Sequence, residues 1–295
     1  MKCFETTIKP LLKFGDGVAK ETGKKFKEFG CKKVLAGYDA NLPEAIVSTV
    51  LDSITAEGIE LIPYSCPYAD GQDTGVLEVR QLAIDNQVDG FLAMGGGSTM
   101  DIVKAASLLV DKPLPIDQYF VGWYNGPDLP RKAHLISIPT TSGTGAEATR
   151  SCIIASQTLG VKATLSSQAA KADFVFLDPQ ITKSLPPYVT ATTGMDAISH
   201  ACEALCCVKS NIFTEMICGK SLELSWANLY TAYKEPENLE ARANMSMAAY
   251  LGLTGESYGN CGHSMAHAIG ARFHVPHGHC CAWTAPVALY FTRKE

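Results

Sequence analysis

Short apolar runs alternate with longer segments of helical spacing along the first 185 residues of the chain. The run at 88–94 is one of the short ones, and it passes through three glycines into a segment with apolar positions at helical intervals. Strands that alternate with helices of ten or more residues are typical of parallel βαβ units. The predicted strands are 33–37, 59–63, 88–94, 135–138, 153–155 and 174–177, and the predicted helices among them are 42–56, 76–86 and 100–110.

The pattern changes after Pro186 and Pro187, where strand-like alternation almost disappears. Segments rich in Ala, Leu, Met and Glu follow, and these residues favour helix. The predicted helices here are 189–207, 213–233, 238–255 and 258–270. We therefore expect an α/β domain with a parallel sheet over residues 1–185 and an all-helical domain over residues 186–295. No flexible linker joins them, so we expect a cleft between the two domains.

Composition and charge narrow the class of protein. The 295 residues are 46% hydrophobic and 19% charged, which is enough apolar material for a sizeable core. The formal net charge of −5 argues against a nucleic-acid partner. We find no apolar run of membrane-spanning length and no secretory signal, so we expect a cytoplasmic protein with no membrane partner.

The chain contains 11 cysteines, an odd number, and they form no Cys-x-x-Cys pair. Reduced and mostly buried thiols are the favoured interpretation. Cys202, Cys206 and Cys207 lie on one predicted helix, where a metal site is the less favoured alternative.

A glycine-rich turn joins the strand predicted at 88–94 to the next helix. Gly95, Gly96, Gly97 and Ser98 let backbone amides approach an anion at a helix N-terminus, as a dinucleotide pyrophosphate requires. The spacing is not Gly-x-Gly-x-x-Gly, so a plain tight turn remains an alternative.

A second loop, at residues 139–149, carries hydroxyl groups and glycines directly after an apolar strand. The hydroxyl groups and backbone amides of its sequence, Pro-Thr-Thr-Ser-Gly-Thr-Gly-Ala-Glu-Ala-Thr, suit contacts to phosphate and ribose. Asp39 ends the first predicted strand, where a carboxylate can bind an adenosine ribose diol and would repel a 2′-phosphate. A turn aspartate before a helix is the alternative interpretation of Asp39.

Histidines cluster near the C-terminal end of the sequence. Five of the seven fall between residues 263 and 279. Asp196 and His200 lie four residues apart on one predicted helix face, and His263 and His267 have the same spacing. With His277, one carboxylate and two or three imidazoles would make a divalent-metal site suited to Fe(II) or Zn(II).

Five ordered motifs together make the chain resemble the iron-dependent (group III) alcohol dehydrogenases. They are GGGSTMDIVKAAS at 95–107, PTTSGTGAEAT at 139–149, LDPQITKSLPP at 177–187, GMDAISHACEA at 194–204 and GHSMAHAIGARFHVPHG at 262–278. The resemblance implies an N-terminal dinucleotide-binding domain, a C-terminal helical domain and a metal between them. It also implies hydride transfer between NAD(H) and a small alcohol or aldehyde.

The resemblance assigns roles to individual residues. It implies that the metal, Fe²⁺ before Zn²⁺, is held by Asp196, His200, His263 and His277, and that His267 acts beside the substrate as the catalytic histidine. For NAD it implies contacts from Asp39, Gly96, Gly97, Ser98, Thr140, Thr141, Thr144, Thr149 and Lys162.

Family members continue beyond the position of Glu295, so we expect an incomplete helical domain that is marginally stable and prone to form a homo-oligomer. Two other functions stay open. One is a dehydroquinate-synthase-like lyase, which the few Lys and Arg residues in the motifs disfavour. The other is a catalytically impaired paralogue that binds the cofactor without turnover.

Overall fold

The computed structural model describes residues 10–255 and 261–292. These residues form eight strands and ten α-helices. Strands are interspersed with helices up to Leu177, and in the described residues after it the elements are all helices. The strands are β1 (Leu11–Phe14), β2 (Lys33–Asp39), β3 (Glu60–Cys66), β4 (Gly90–Gly95), β5 (His134–Pro139), β6 (Ser151–Ser156), β7 (Val161–Ser166) and β8 (Phe174–Leu177). The helices are α1 (Thr22–Glu28), α2 (Glu44–Thr55), α3 (Asp73–Asn86), α4 (Gly97–Leu109), α5 (Pro179–Thr182), α6 (Pro187–Cys206), α7 (Ile212–Lys234), α8 (Leu239–Thr254), α9 (Cys261–Phe273) and α10 (His277–Thr292).

Six strands form one parallel sheet in the order β1-β8-β5-β4-β2-β3. The chain leaves β2 for β3 on one side and then returns to β4 on the other side of β2. The direction of the strand order therefore reverses between β2 and β4, and in sheets of this kind ligands bind at the carboxyl ends of the strands beside such a reversal.

Helices cover both faces of this sheet. Val34 and Ala36 of β2 pack with Phe26 of α1 and Val50 of α2 in one continuous apolar cluster. On the opposite face, Gly37 lies so close to α4 that an added Cβ would come within 2.4 Å of Cγ2 of Val103. Because both faces are buried, the central strands are almost uniformly apolar, which is why they appear in the sequence as short apolar runs.

The helical part is organised around α6, which packs against α7, α8, α9 and α10. Pro187 occupies the first turn of α6, where its missing N–H costs no hydrogen bond. The side chain of Asn211 accepts hydrogen bonds from the amides of Phe213 and Thr214 and so begins α7, and Asn238 caps α8 in the same way.

The described chain divides into two compact units. The helical unit contains residues 182–255 and 261–292 and also the short segment Thr141–Gly145. The sheet unit contains residues 10–140 and Ala146–Ile181. The loop at 139–149 is therefore shared between the units, which local sequence patterns do not indicate.

The predicted fold class, a parallel-sheet α/β part followed by a helical part, is confirmed. One predicted strand differs in its pairing, because β6 forms an antiparallel hairpin with β7 and not a parallel βαβ unit. The beginning of the helix predicted at 258–270 lies outside the described residues, and its described part is α9. Among the helices of the described ranges, none combines the length and apolar character needed to cross a membrane.

Candidate cofactor loops and metal centre

Asp39 and the starts of the two predicted cofactor loops lie together at the carboxyl edge of the parallel sheet. Asp39 ends β2, Gly95 ends β4 and Pro139 ends β5, and these three strands are neighbours. In register, Tyr38 is paired with Met94 and Gly95 with Pro139. Asp39 and the two loops that follow β4 and β5 therefore begin next to the point where the strand order reverses.

The N-terminus of α4 provides the amide donors at this edge. Gly96 is the N-cap residue, and no side chain caps the first turn of this 13-residue helix. An added Cβ at Gly95 would lie 2.7 Å from Cβ of Thr99, so a glycine is required there. Uncapped amides and the helix dipole together favour an anion, so the turn fits a pyrophosphate.

Ser98 and Lys162 are both bonded to the segment that follows β3. The Ser98 hydroxyl donates to the backbone oxygen of Ala69 at 2.8 Å, and Nζ of Lys162 donates to Oδ1 of Asp70 at 2.8 Å. The side chains of Ser98 and Lys162, two predicted cofactor residues, thus bind neighbouring residues of one loop.

Asp39 is half-buried and uses one of its oxygens locally. Oδ1 accepts hydrogen bonds from the backbone amide of Asn41 at 2.9 Å and from its side-chain amide at 3.0 Å. Both bonds fall on the same oxygen, so Oδ2 takes part in neither of them.

The predicted threonines of the loop at 139–149 separate into two groups. Thr140 and Thr149 belong to the sheet unit, where the Thr140 amide donates to Gly95 O at 3.0 Å and Oγ1 of Thr149 accepts from the Ser151 amide at 3.1 Å. Thr141 and Thr144 belong to the helical unit, and Oγ1 of Thr141 is buried without a hydrogen-bond partner.

Two buried titratable side chains of the sheet unit, Lys104 and Glu147, lie at this loop. Nζ of Lys104 is completely buried and donates to the backbone oxygens of Ala146 at 2.6 Å and Ser151 at 2.8 Å. Glu147 is also buried, and burial raises its pKa from 4.5 to about 7. The positions of Lys104 and Glu147 were not singled out from the sequence.

The strongest convergence of polar side chains lies within the helical unit, around Asp196 of α6. Its Oδ1 is 3.2 Å from Nε2 of His263, 3.6 Å from Nε2 of His277 and 3.9 Å from Nδ1 of His200. Asp196, His200 and His263 are buried, while His277 is half-buried. Three helices therefore bring all four predicted metal ligands close together.

One residue of this cluster was missed by the sequence analysis: Cys281. A single donor atom each from Asp196, His263, His277 and Cys281 lie within 4.8 Å of one another, and His200 is outside this tighter group. The ring of His200 stacks on that of His263 at 4.2 Å, and its buried Nδ1 has no hydrogen-bond partner. The alternative site at Cys202, Cys206 and Cys207 does not appear among converging donors in the described ranges.

Glu203 is a second residue that the sequence analysis missed. Its Oε1 accepts a hydrogen bond from Nδ1 of His263 at 2.7 Å, and Oε2 accepts from the amides of Gly262 and His263. A carboxylate accepts only, so Nδ1 carries a proton, and Nε2, which lies 3.2 Å from Oδ1 of Asp196, is the ring nitrogen available to a cation. The signal was available, because Glu203 lies seven residues after Asp196 on the same face of α6.

The charges of the centre are strongly coupled. Burial alone would raise the pKa of Asp196, but the imidazoles of His200, His277 and His263 hold it well below its usual range. Burial would lower the pKa of His263, but hydrogen bonds to Asp196, Cys281 and Glu203 raise it to about 12. Burial lowers the pKa of His200 to about 3, so its imidazole is neutral and can donate a lone pair to a cation.

His267 lies beside this centre. Its ring centroid is 4.9 Å from that of His277, and its side chain is half-buried. The donor set as a whole, with a carboxylate, several imidazoles and an unpartnered buried nitrogen, fits a divalent transition metal.

Comparisons with known proteins give matches to one family along most of the chain. A family model for iron-containing alcohol dehydrogenases matches residues 10–179, and a model for the C-terminal part of the Fe-containing alcohol dehydrogenase family matches residues 190–295. The chain is 34% identical over 291 residues to the sulfoacetaldehyde reductase of Bilophila wadsworthia (strain 3_1_6), covering 97% of this chain and 73% of that protein.

Two solved structures have the same fold. An alcohol dehydrogenase from Oenococcus oeni superposes with a TM-score of 0.90 at 29% identity, covering 98% of this chain and 76% of that one. The sulfoacetaldehyde reductase of Bifidobacterium kashiwanohense, solved in complex with NAD⁺, gives a TM-score of 0.89 at 25% identity, covering 100% and 77% of the two chains.

Proposed function

Since this chain belongs to the iron-containing alcohol dehydrogenase family, and is therefore a metal-dependent oxidoreductase that uses NAD(H), we propose that Asp196, His200, His263 and His277 hold the metal. The reaction is hydride transfer between NAD(H) and a small alcohol or aldehyde. The observation that supports the assignment is the position of three imidazole nitrogens 3.2–3.9 Å from one carboxylate oxygen, Oδ1 of Asp196.

The residues of the centre have different roles in the reaction. A divalent cation, when bound here, supplies a Lewis acid for the oxygen of the substrate. Asp196 contributes the negative charge of the centre, and Glu203 holds His263 in the tautomer whose Nε2 can coordinate. His267 is half-buried next to His277, and we assign to it the movement of a proton between the substrate oxygen and solvent.

For the cofactor, we assign the pyrophosphate to the amides at the start of α4. Gly96, Gly97 and Ser98 form an uncapped helix N-terminus. The amide of Thr140 donates to the backbone oxygen of Gly95, which ends β4 directly before that helix. The remaining cofactor contacts in this proposal are Thr141, Thr144, Thr149 and Lys162.

Asp39 sets the choice between NADH and NADPH in this proposal. A 2′-phosphate would meet its carboxylate at close range, and a repulsion of only about 1.4 kcal/mol gives a tenfold preference. We expect the parent protein to prefer NADH and Asp39→Gly to narrow the ratio of kcat/KM for the two cofactors by about tenfold. Equal kinetics with both cofactors in the parent would contradict the assignment.

A cytoplasmic location is part of the proposal. The ten cysteines among the described residues form no disulfide, which suits a reducing compartment. The range of substrates is open to assay, and a panel of short aldehydes should include sulfoacetaldehyde, because two similar proteins are named for its reduction.

The test of the function compares bound metal and aldehyde-dependent NADH oxidation in two variants. His263→Ala removes a nitrogen that faces Asp196, so both metal content and turnover should be lost. His274→Asn is the matched control, because His274 is exposed, has a φ of 56° that Asn tolerates, and lies outside the donor group. Normal metal content and activity in His263→Ala would overturn the metal assignment.

A further inference from the structure

Cys281 lies on the same face of α10 as His277. The two residues are four apart in the helix, and Sγ of Cys281 is 3.5 Å from Nε2 of His277. The Cys281 side chain is 1% exposed. It is therefore a buried thiol that faces the imidazoles of the metal centre.

The spacing of the donor atoms matches a single cation. Zinc bonds of about 2.0 Å to nitrogen or oxygen and about 2.3 Å to sulfur place tetrahedral ligands about 3.3–3.8 Å apart. The observed separations are 3.2 Å for His263 Nε2 to Asp196 Oδ1, 3.6 Å for His277 Nε2 to the same oxygen, and 3.5 Å for Sγ of Cys281 to Nε2 of His277. These three separations are close to those between ligands of one ion, and all four donor atoms lie within 4.8 Å of one another.

The neighbouring cysteine shows what a structural thiol looks like in this helix. Cys280 is also buried, but its Sγ lies 3.7 Å from the backbone oxygen of Val275 and is absent from the donor group. Two adjacent cysteines in one helix therefore have different surroundings. Packing of α10 alone needs a small apolar residue at position 281, and does not require a sulfur at ligand distance from an imidazole.

We propose that Sγ of Cys281 is a direct ligand of the metal bound by Asp196, His263 and His277, so that the centre contains a thiolate. The proposal rests on the metal centre of the proposed function, and it adds a thiolate to that centre without removing His200 from it. The thiol gives up its proton to solvent when the cation binds. Because thiolate is a soft ligand, it strengthens binding of Zn²⁺ relative to Fe²⁺ in this centre.

The first experiment replaces the metal of the full chain with Co²⁺ and records its absorption spectrum. We expect a near-ultraviolet sulfur-to-cobalt charge-transfer band in the parent protein and in Cys280→Ser. We expect the loss of this band in Cys281→Ser, with the visible cobalt bands retained. A parent spectrum without the charge-transfer band, or a band that persists in Cys281→Ser, would overturn the proposal.

A second measurement does not depend on the folding of a variant. X-ray absorption of the zinc-loaded parent should show one sulfur neighbour at about 2.3 Å, and a shell of nitrogen and oxygen alone overturns the proposal. Competition between Zn²⁺ and Fe²⁺ should shift towards Fe²⁺ by about tenfold in Cys281→Ser and stay unchanged in Cys280→Ser. A parent that binds metal without sulfur refutes the role of Cys281 and leaves the metal centre intact, whereas a parent that binds neither Co²⁺ nor Zn²⁺ refutes both.

Discussion

Glu203 shows how a single residue can organise the metal centre without contacting the metal. Its two oxygens accept three hydrogen bonds from Gly262 and His263, and two of these come from backbone amides of the first turn of α9. The carboxylate therefore fixes the start of α9 and the tautomer of His263 together. Its charge also compensates the imidazolium character of His263 when no cation is bound.

Replacing Glu203 by Gln keeps the size of the side chain and removes its charge. We expect Glu203→Gln to weaken metal binding by about 10–100-fold, because Nδ1 of His263 loses a charged acceptor. Chelator competition measures this affinity directly. Glu223→Gln is the control, because Glu223 is an exposed residue of α7. Equal affinities in the two variants would show that Glu203 does not position His263.

Burial of Glu147 in the sheet unit makes the free energy of unfolding depend on pH. Its pKa is raised by burial from 4.5 to about 7, so the folded protein keeps a proton that the unfolded chain has already lost. The contribution of Glu147 to the free energy of unfolding is therefore highest below about pH 4.5, falls as the pH rises towards about 7, and is level above that. The total loss is on the order of 3 kcal/mol.

Glu147→Gln should abolish this pH dependence. Urea unfolding at a series of pH values between about 5 and about 8 measures it, and the variant should gain stability relative to the parent as the pH rises. Asp52→Asn, at an exposed position of α2, should follow the parent at every pH. A parallel pair of curves for parent and Glu147→Gln would mean that Glu147 is ionised in the folded protein.

Sequence patterns predicted the aspartate and histidines of the metal centre but not its cysteine, Cys281. The spacing of Asp196 and His200 placed both on one helix face, and α6 has that face turned towards His263. Cys281 was missed because α10 was not predicted. That helix is apolar on most of its faces and contains Pro286, so it lacks the periodicity that identifies a helix in a sequence.

At the scale of elements, the hairpin of β6 and β7 shows the same limit. Only the apolar positions 153–155 of β6 were read as a strand. In β7, Val161, Ala163 and Leu165 alternate with polar residues, which is typical of a half-buried antiparallel strand. Gly160, with a φ of 67°, makes the turn. This alternation is local, but it covers only six residues, and a strand of period two differs from the apolar runs that the parallel strands show.

Close helix contacts at glycines position the metal ligands. An added Cβ at Gly278 would lie 2.2 Å from the backbone oxygen of Thr192 in α6, so Gly278→Ala must displace the start of α10 and His277 with it. We expect a loss of stability of about 1–3 kcal/mol and weaker metal binding. Thermal unfolding and chelator competition measure the two effects.

Gly219→Ala is the opposite case and serves as the control. Gly219 lies within α7, and an added Cβ there would meet nothing within 4 Å. The variant should be more stable by up to about 1 kcal/mol, since alanine favours helix, and its metal affinity should equal that of the parent. If Gly278→Ala binds metal as tightly as Gly219→Ala does, the contact with Thr192 does not position His277.

At the scale of the whole molecule, the proposed metal ligands belong to one unit, whereas the proposed NAD contacts belong to both, because Thr141 and Thr144 are in the helical unit. The proposed metal ligands are all in the helical unit, while Asp39 and the start of α4 are in the sheet unit. Each unit has its own buried core, with the apolar cluster of β2, α1 and α2 in one and the contacts of α6 with its neighbouring helices in the other. Zn²⁺ should therefore stabilise the helical unit, and NADH should chiefly stabilise the sheet unit, which contains most of its proposed contacts.

We expect hydrogen exchange followed by mass spectrometry to separate these two effects. A ligand present at 100 times its Kd stabilises the state that binds it by about 2.7 kcal/mol, which slows amide exchange wherever exchange requires opening of the binding unit. Added Zn²⁺ should slow exchange in α6, α9 and α10, and added NADH should slow it at the start of α4 and at the ends of β2 and β5. In His263→Ala the effect of Zn²⁺ should disappear while that of NADH remains. Identical protection patterns from the two ligands would show that the units open together, and the loss of both effects in His263→Ala would show that the NADH site depends on the metal centre.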